Sequence, residues 1–291
     1  LLMDGIEMNR PSFRKKYNIK TKYRILGTHY GKHKDTFIAE HEEVVVSSNS
    51  FTYKDFLELR FMNFMFYAVF NFKFHKWFFQ FVRHLGIFPS KFFSHFFNPD
   101  RTVDWPDRYI NFLDDLKNAV EGELHDTREE MVKTAKQTFI ANGNDVGDSS
   151  RINMNFGGKL CYQEGDWVKQ VLLCHLDNIM KQNLSVEDRN LASLLIDLGE
   201  KERVDLKYHS AREPINISYD VINWRKNKFK EPLYNYKMKE RLVNFSTAKD
   251  QNLMIESFNK RFSYHKPKDY YHEAMEFIRP RYHLLHNLSY K

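Results

Sequence analysis

Between residues 50 and 97, apolar side chains recur every three or four positions, and nineteen of these residues are aromatic, sixteen of them Phe. This repeat is the period of an α-helix that buries one face. The leading stripe consists of Leu57, Phe61, Phe64, Met65, Ala68 and Phe72. Leu59, Phe66 and Phe70 cover much of the opposite side, so the helix is apolar nearly all round. The stretch therefore predicts the core of a helical unit or an interface.

The longest charge-free run of this stretch extends from Phe61 to Phe72, which is twelve residues. A membrane span requires about 20 apolar residues, so we expect no transmembrane helix. A helical hairpin that forms a core is the preferred interpretation. The alternative is an amphipathic surface that inserts halfway into a membrane, with basic side chains reaching its interface.

Capping residues predict the ends of these helices. Ser50 or Thr52 can cap the first turn, where the charge of Asp55 suits the positive end of the helix dipole. Gly86 and Pro89 end a second helix, and Pro89 opens a short third one.

Apolar stripes, three of them preceded by capping or helix-start residues, predict four further helices. They begin near Trp105-Pro106, Asp126-Thr127, Gln163 and Ser185-x-x-Asp188. The second of them ends at Asn142-Gly143. Residues 142–158 are rich in Gly, Asn and Ser, and they predict a loop or an internal boundary.

Both ends of the chain predict strands. Residues 22–26 and 43–47 are strand candidates separated by a loop at 27–34, and residues 215–219 and 241–245 form a second pair. A helical turn around Trp224, a helix capped by Thr247 and a last helix at 270–278 complete the pattern. The fold class predicted is therefore mainly α, with an extended segment (1–48), a helical domain with an aromatic-rich core (49–210) and a small α+β unit (211–291).

Composition narrows the class of protein. The 291 residues are 42% hydrophobic and 29% charged, as in an ordinary globular protein. The two cysteines, Cys161 and Cys174, lack CxxC spacing, which excludes a disulfide framework and any cysteine-ligated cluster within this chain. We expect a cytoplasmic location, because no signal-peptide pattern is visible. The first residue is not Met, which suggests a fragment of a longer protein.

The net charge of +7 is unevenly distributed. Residues 225–241 hold seven basic and two acidic side chains, a local charge of +5. Such a cluster can contact phosphates, but a solvated face is the more common role. We do not expect a nucleic-acid partner.

No set of residues predicts an active site. His29, His33 and residues 40–43 include metal-ligand types, but they lack the helical spacing of HExxH, so no metal site is expected. Gly157-Gly158-Lys159 is too short for a phosphate-binding loop. Cys174 lies within a predicted helix, where cysteine usually acts as a small core residue.

The N-terminal third carries a family resemblance. Two segments, MDGIEMNRPSFRKKYNIKTKYRILGTHYG and EEVVVSSNSFTYKDFLELRFMNF, resemble the region after the radical SAM barrel in radical SAM proteins with a cobalamin-binding domain. There, a segment like residues 14–19 leaves the barrel, a strand like 43–46 precedes a polar turn like 48–50, and a helix follows with an arginine like Arg60. The match covers about residues 1–75.

The resemblance implies that the chain is the non-catalytic C-terminal portion of a larger enzyme. Its partners would be the barrel and the cobalamin-binding domain, which would hold a [4Fe–4S] cluster, S-adenosylmethionine and cobalamin. This chain lacks the family's CxxxCxxC motif, so it cannot itself hold the cluster. Its role would be to complete the barrel wall, to cover the substrate mouth or to bind a substrate or partner. The alternative is a stand-alone helical interaction protein with a basic surface for nucleic acid or a membrane surface.

Segments that follow a barrel can close over its mouth. We therefore predict a substrate contact by Arg24, Asn49 and Arg60, with no catalytic residue in this chain. The arginines could hold an anionic group, and Asn49 could bind a hydroxyl. The alternative is that Arg60 pairs with Asp55 or Glu58 and that Arg24 lies on an exposed strand.

Overall fold

A computed structural model describes residues 5–94, 105–144, 152–160, 165–204, 212–265, 274, 277 and 285–291. The fold is mainly α, as predicted, with a β-hairpin near the N-terminal end and a three-stranded antiparallel sheet towards the C-terminal end. The predicted helix at 270–278 and residue Cys161 lie outside the described residues, apart from positions 274 and 277 of that helix.

The described residues contain eleven α-helices. They are α1 (Pro11–Tyr17), α2 (Tyr53–Met65), α3 (Lys76–His84), α4 (Pro89–Ser94), α5 (Asp107–Gly122), α6 (Arg128–Ala141), α7 (Ile152–Gly158), α8 (Gly165–Met180), α9 (Val186–Glu202), α10 (Val221–Lys226) and α11 (Lys249–His265). A π-helical segment, Phe66–Asn71, continues α2.

Five strands form the two sheets. They are β1 (Lys20–His33), β2 (Thr36–Ser47), β3 (Ile215–Tyr219), β4 (Lys237–Ser246) and β5 (Asn287–Tyr290). β1 pairs with β2, and the second sheet has the order β3-β4-β5, antiparallel throughout. Each of the four predicted strands lies within one of these elements.

The N-terminal strands are longer than expected, and the loop predicted at 27–34 is wrong over most of its length. β1 continues to His33, and an irregularity between Ile25 and Tyr30 interrupts the ladder without ending it. Gly27 accommodates this irregularity with a φ of 60°. The turn consists of Lys34 and Asp35. Lys34 has a positive φ of 54°, which is rare for a lysine, so the sequence does not predict a turn at this position.

Most predicted caps are confirmed. Thr52 Oγ1 accepts from the N–H of Asp55 at 3.2 Å, and Ser185 Oγ accepts from the N–H of Asp188 at 3.0 Å. Gly86, with a φ of 83°, ends α3. The N–H of Gly86 donates to the carbonyl of Arg83, and the N–H of Ile87 donates to the carbonyl of Val82. These two bonds form a Schellman motif.

The loop predicted at 142–158 is wrong over its last seven residues, because these form α7. Ile152 and Met154 are buried there, with exposed fractions of 6% each. Burial of these side chains stabilises a helix that the neighbouring Asn and Gly residues disfavour. Asn142-Gly143 does end α6, as predicted.

The chain divides into two compact units, each built from separate segments. The first comprises Leu1–Phe64 and Ile110–Phe156, and the second comprises Met65–Tyr109 and Gly157–Lys291. The boundaries proposed from sequence, near residues 48 and 210, stay a prediction about domains.

In the first unit, α6 packs on the hairpin. Tyr30, Ala135 and Phe139 form a buried cluster there, and Phe37 contacts Phe139 with ring centroids 5.6 Å apart. Backbone hydrogen bonds of 2.8 Å in both directions join Tyr23 to His125. The hairpin is therefore held to the segment between α5 and α6.

In the second unit, aromatic side chains form the core, and α9 packs against α3 and α8. The largest buried side chains include Trp77, Phe78, Phe81, Phe92, Phe93, Tyr109 and Trp224. Within the described residues, the predicted aromatic-rich helical core is thus confirmed. The buried side chains of residues 65–94 form a core, in agreement with the preferred interpretation of the stretch at residues 50–97.

Candidate functional site

The candidate site lies in the first unit, where three elements bring together two of the three predicted site residues, both of them arginines. Arg24 extends from β1, and Arg60 extends from α2. Glu123 directly follows the end of α5, and the bond pair between Tyr23 and His125 fixes this segment beside β1.

Both arginines bind the same carboxylate. Arg24 Nη1 donates to Glu123 Oε1 at 3.1 Å, and Arg60 Nη2 donates to the same oxygen. Arg24 Nε also donates to Glu42, which lies across the hairpin in the pair Arg24↔Glu42. We call these four residues the Arg24–Arg60 network. It joins β1, β2, α2 and the end of α5.

The Arg24–Arg60 network is mostly buried but not closed to water. The exposed fractions of the side chains are 25% for Arg24, 22% for Arg60, 19% for Glu123 and 12% for Glu42. Burial lowers the pKa of Arg60, and Glu123 opposes this effect. The guanidinium stays charged at neutral pH, because an arginine pKa lies far above 7. Two cations and two carboxylates give the network no net charge.

The local pairing considered for Arg60 is wrong. The Asp55 carboxylate instead accepts hydrogen bonds from the N–H and the hydroxyl of Thr52. Glu58 pairs with Lys54, with 3.8 Å between Oε1 and Nζ. Arg24 is likewise half-buried rather than on an exposed strand.

The third predicted residue, Asn49, has other partners. Its side-chain amide donates to the carbonyl of Lys16 at 3.2 Å, and its backbone N–H donates to Tyr17 at 2.9 Å. Asn49 is exposed and has no hydrogen bond with the two arginines. Its contacts tie the polar turn to α1.

A second ion pair in the hairpin involves residues that carry the family resemblance. Arg14 donates from Nη1 and Nη2 to the two oxygens of Glu43, each at 2.7 Å. Thr21 Oγ1 donates to the same carboxylate at 2.6 Å. The hydrogen bond from Arg14 is the main cause of a lowered pKa for Glu43. The pair therefore joins α1 to β2.

The second unit contains a buried carboxylate that sequence reasoning missed. Glu202 is 3% exposed; its Oε2 accepts from Trp77 Nε1 at 2.7 Å, and its Oε1 accepts from Arg225. Burial raises the pKa of Glu202 despite the charge of Arg225. Arg225 also lies over the Trp77 ring, 5.2 Å from its centroid. One member of the basic cluster is thus a structural residue, and no sequence signal marks this, because its partner lies 23 positions away.

The rest of the basic cluster is on the surface. Its exposed cations are Lys226, Lys228, Lys230, Lys237, Lys239 and Arg241. None of them forms an ion pair with another described residue, and Arg241 lies 5.9 Å from the ring centroid of Tyr290. The cluster thus presents a basic surface on β4 and on the turn after α10.

Metal-ligand residues do not gather within the described part of the chain. No group of three His, Cys, Asp or Glu side chains there could hold a metal ion. His29 Nδ1 contacts the carbonyl of Leu26 at 2.7 Å. The chain's two cysteines cannot supply the three thiolates of a [4Fe–4S] cluster, so the residues do not fit that cofactor.

Among the described helices, none has the length and hydrophobicity of a membrane span.

Comparison with protein-family models and with curated proteins finds no match to this chain.

Proposed function

We propose that this chain is the non-catalytic C-terminal portion of a cytoplasmic radical SAM enzyme. In this proposal it completes or covers the substrate mouth of the barrel, or binds a partner there. The barrel and the cobalamin-binding domain of the parent protein would supply the [4Fe–4S] cluster, S-adenosylmethionine and cobalamin. The family resemblance of the first 75 or so residues is the origin of the proposal.

One structural observation supports it. Residues that carry the resemblance, Arg14, Glu43 and Arg60, take part in ion pairs of the hairpin region. Surface residues without a structural role have no reason to make paired, half-buried contacts of this kind, because such contacts cost side-chain entropy. The segment therefore has the properties of a defined module rather than of a linker.

In this proposal Arg24 and Arg60 lie at the substrate mouth, and Asn49 holds the turn that leads into α2. The two arginines orient the hairpin relative to α2 through Glu123. Asn49 remains a proposed hydroxyl contact.

The natural gene product gives the most direct test. We expect a protein about twice as long as this chain, with CxxxCxxC upstream of residue 1. A natural gene product of about 291 residues, or a longer one without this motif, would contradict the proposal.

The parent enzyme allows a functional test. Arg60→Ala should lower turnover of the substrate and leave uncoupled cleavage of S-adenosylmethionine intact, because the cluster and S-adenosylmethionine are held elsewhere. An equal loss of both activities, or no loss of either, would remove Arg60 from the substrate mouth.

A second candidate function is a stand-alone interaction protein, favoured by the exposed cations of β4. Charge reversal at Lys237, Lys239 and Arg241 should then abolish salt-dependent binding to vesicles containing phosphatidylserine. Charge reversal at Lys15, Lys16 and Lys20, which are all exposed, is the matched control because it reverses the same number of charges. Vesicle binding that neither set of changes affects would exclude the basic surface as its cause.

A further inference from the structure

The two arginine pairs of the hairpin region differ in how they use their carboxylates. Arg14 engages both oxygens of Glu43, at 2.7 Å each, which is the bidentate geometry that guanidinium and carboxylate groups favour. In the Arg24–Arg60 network, two guanidinium groups share one oxygen of Glu123. Each of these arginines therefore makes one hydrogen bond with Glu123, whereas Arg14 makes two with Glu43.

The arginines keep unused donors. A guanidinium has five N–H groups. With described residues, Arg60 uses only Nη2, and Arg24 uses Nε and Nη1. An oxyanion that offers separate oxygens to the two guanidinium groups would form more hydrogen bonds than Glu123 does.

The position of Glu123 is also unfavourable for a carboxylate. It directly follows α5, and its N–H donates to the carbonyl of Ala119 at 3.1 Å. The C-terminal end of a helix repels negative charge. Interaction with Arg24 and Arg60 offsets this repulsion, so the arginines, and not the helix dipole, stabilise the charge of the Glu123 carboxylate.

We propose that Arg24 and Arg60 form a binding site for the carboxylate group of a small organic ligand, and that Glu123 occupies this site as an internal substitute. With Glu123 displaced, the two arginines and Glu42 carry a charge of +1, which one carboxylate neutralises. Water reaches the site, since both arginines are more than a fifth exposed. The identification of this ligand as the substrate of the parent enzyme rests on the proposed function; the site itself does not.

Removal of the internal carboxylate tests the proposal. Glu123→Ala should lower the Tm of the full chain, and about 0.1 M acetate should recover at least half of this loss, compared with sodium chloride at the same ionic strength. The recovery should saturate with acetate concentration. The wild-type Tm should change much less, because Glu123 competes at a high effective concentration.

Two further variants make the result specific. Glu123→Ala combined with Arg60→Ala should lose the acetate response. Asp177→Ala removes the carboxylate that pairs with Arg189 on the surface, and this variant should show no acetate response. If Glu123→Ala does not fold, Glu123→Asp replaces it, since the shorter side chain cannot reach both arginines and should give a smaller response.

Equal recovery in chloride, or an acetate response that survives the loss of Arg60, would overturn the carboxylate site. Neither result would bear on the motif upstream of residue 1. A missing CxxxCxxC would conversely remove the proposed function and leave an observed acetate site in place.

Discussion

His75 is a buried histidine that must remain neutral in the folded protein. It is 7% exposed, and its Nδ1 has no hydrogen-bond partner among the described residues. Burial and the charge of Arg203 lower its pKa from 6.5 to about 3. Below pH 6.5, His75 of the unfolded chain thus binds a proton, whereas His75 of the folded chain stays neutral down to about pH 3. The stability that His75 contributes is therefore fully present above pH 6.5 and decreases as the pH is lowered below 6.5.

We therefore expect the wild type to lose about 2 kcal/mol more than His75→Phe between pH 7 and pH 5. Urea unfolding at both pH values measures this difference. The exposed His33→Phe is the control and should follow the wild type. Parallel pH dependence of wild type and His75→Phe would show that His75 accepts a proton in the fold.

Phe64 and Phe70 test the aromatic core. Phe64 is 2% exposed and contacts Phe112 with ring centroids 6.1 Å apart, and Phe70 contacts Phe79 at 5.3 Å. Phe64→Ala should cost about 3–5 kcal/mol, and Phe70→Ala somewhat less because it is only half-buried. Phe88→Ala, at a side chain that is 62% exposed, is the control.

Chemical denaturation measures these costs. Losses below about 1 kcal/mol for Phe64 and Phe70, together with weaker liposome binding, would favour the membrane-surface interpretation instead.

At the residue scale, sequence identified the arginines but not their partners. Arg60 interrupts an apolar stripe, which signals a charge that must be paired. Its partner, Glu123, lies 63 positions away. Local spacing offers only Asp55 and Glu58 as partners of Arg60. No sequence rule relates a residue in one helix to a side chain at the end of a distant helix.

Among the elements, α9 approaches the segment before α3 unusually closely at Gly199. A Cβ at this position would lie 2.1 Å from the carbonyl oxygen of Phe74 and 3.6 Å from the Cα of His75. Backbone cannot yield as a flexible side chain does. Gly199→Ala should therefore destabilise the protein by more than about 2 kcal/mol, although alanine is the better helix former.

Gly122→Ala is the matched control, because this glycine also lies in a helix and has nothing within 4 Å of its Cβ position. It should leave the free energy of unfolding unchanged or raise it by up to about 1 kcal/mol. Thermal denaturation of both variants measures the contrast, and similar losses in the two would show that helix packing tolerates a methyl group at Gly199.

Elements with local signals were predictable. Thr52, Ser185 and Gly86 each satisfy backbone groups within a few residues of themselves, so their sequence positions suffice to place helix ends. α7 and the outer part of β1 were not predictable. Their stability comes from burial of Ile152 and Met154 and from the packing of α6 on the hairpin, which depend on distant residues.

For the whole molecule, the cysteine count leads to a prediction about cofactors. We expect the isolated chain to fold and to bind neither iron nor S-adenosylmethionine, because a [4Fe–4S] cluster requires three thiolates from the protein. Anaerobic reconstitution with iron and sulfide, followed by absorbance spectroscopy of the cluster's charge-transfer band, measures this. One cluster per chain would contradict the prediction.

The interleaving of the two units has a consequence for synthesis on the ribosome. The hairpin ends at Ser47 and belongs to the same unit as α6, which ends at Ala141, 94 residues later. At about 5–20 residues per second, the apolar face of the hairpin remains uncovered for roughly 5–19 s until α6 is synthesised. Codon choice or chaperone binding across residues 48–141 should therefore change the yield of soluble protein without altering its equilibrium stability.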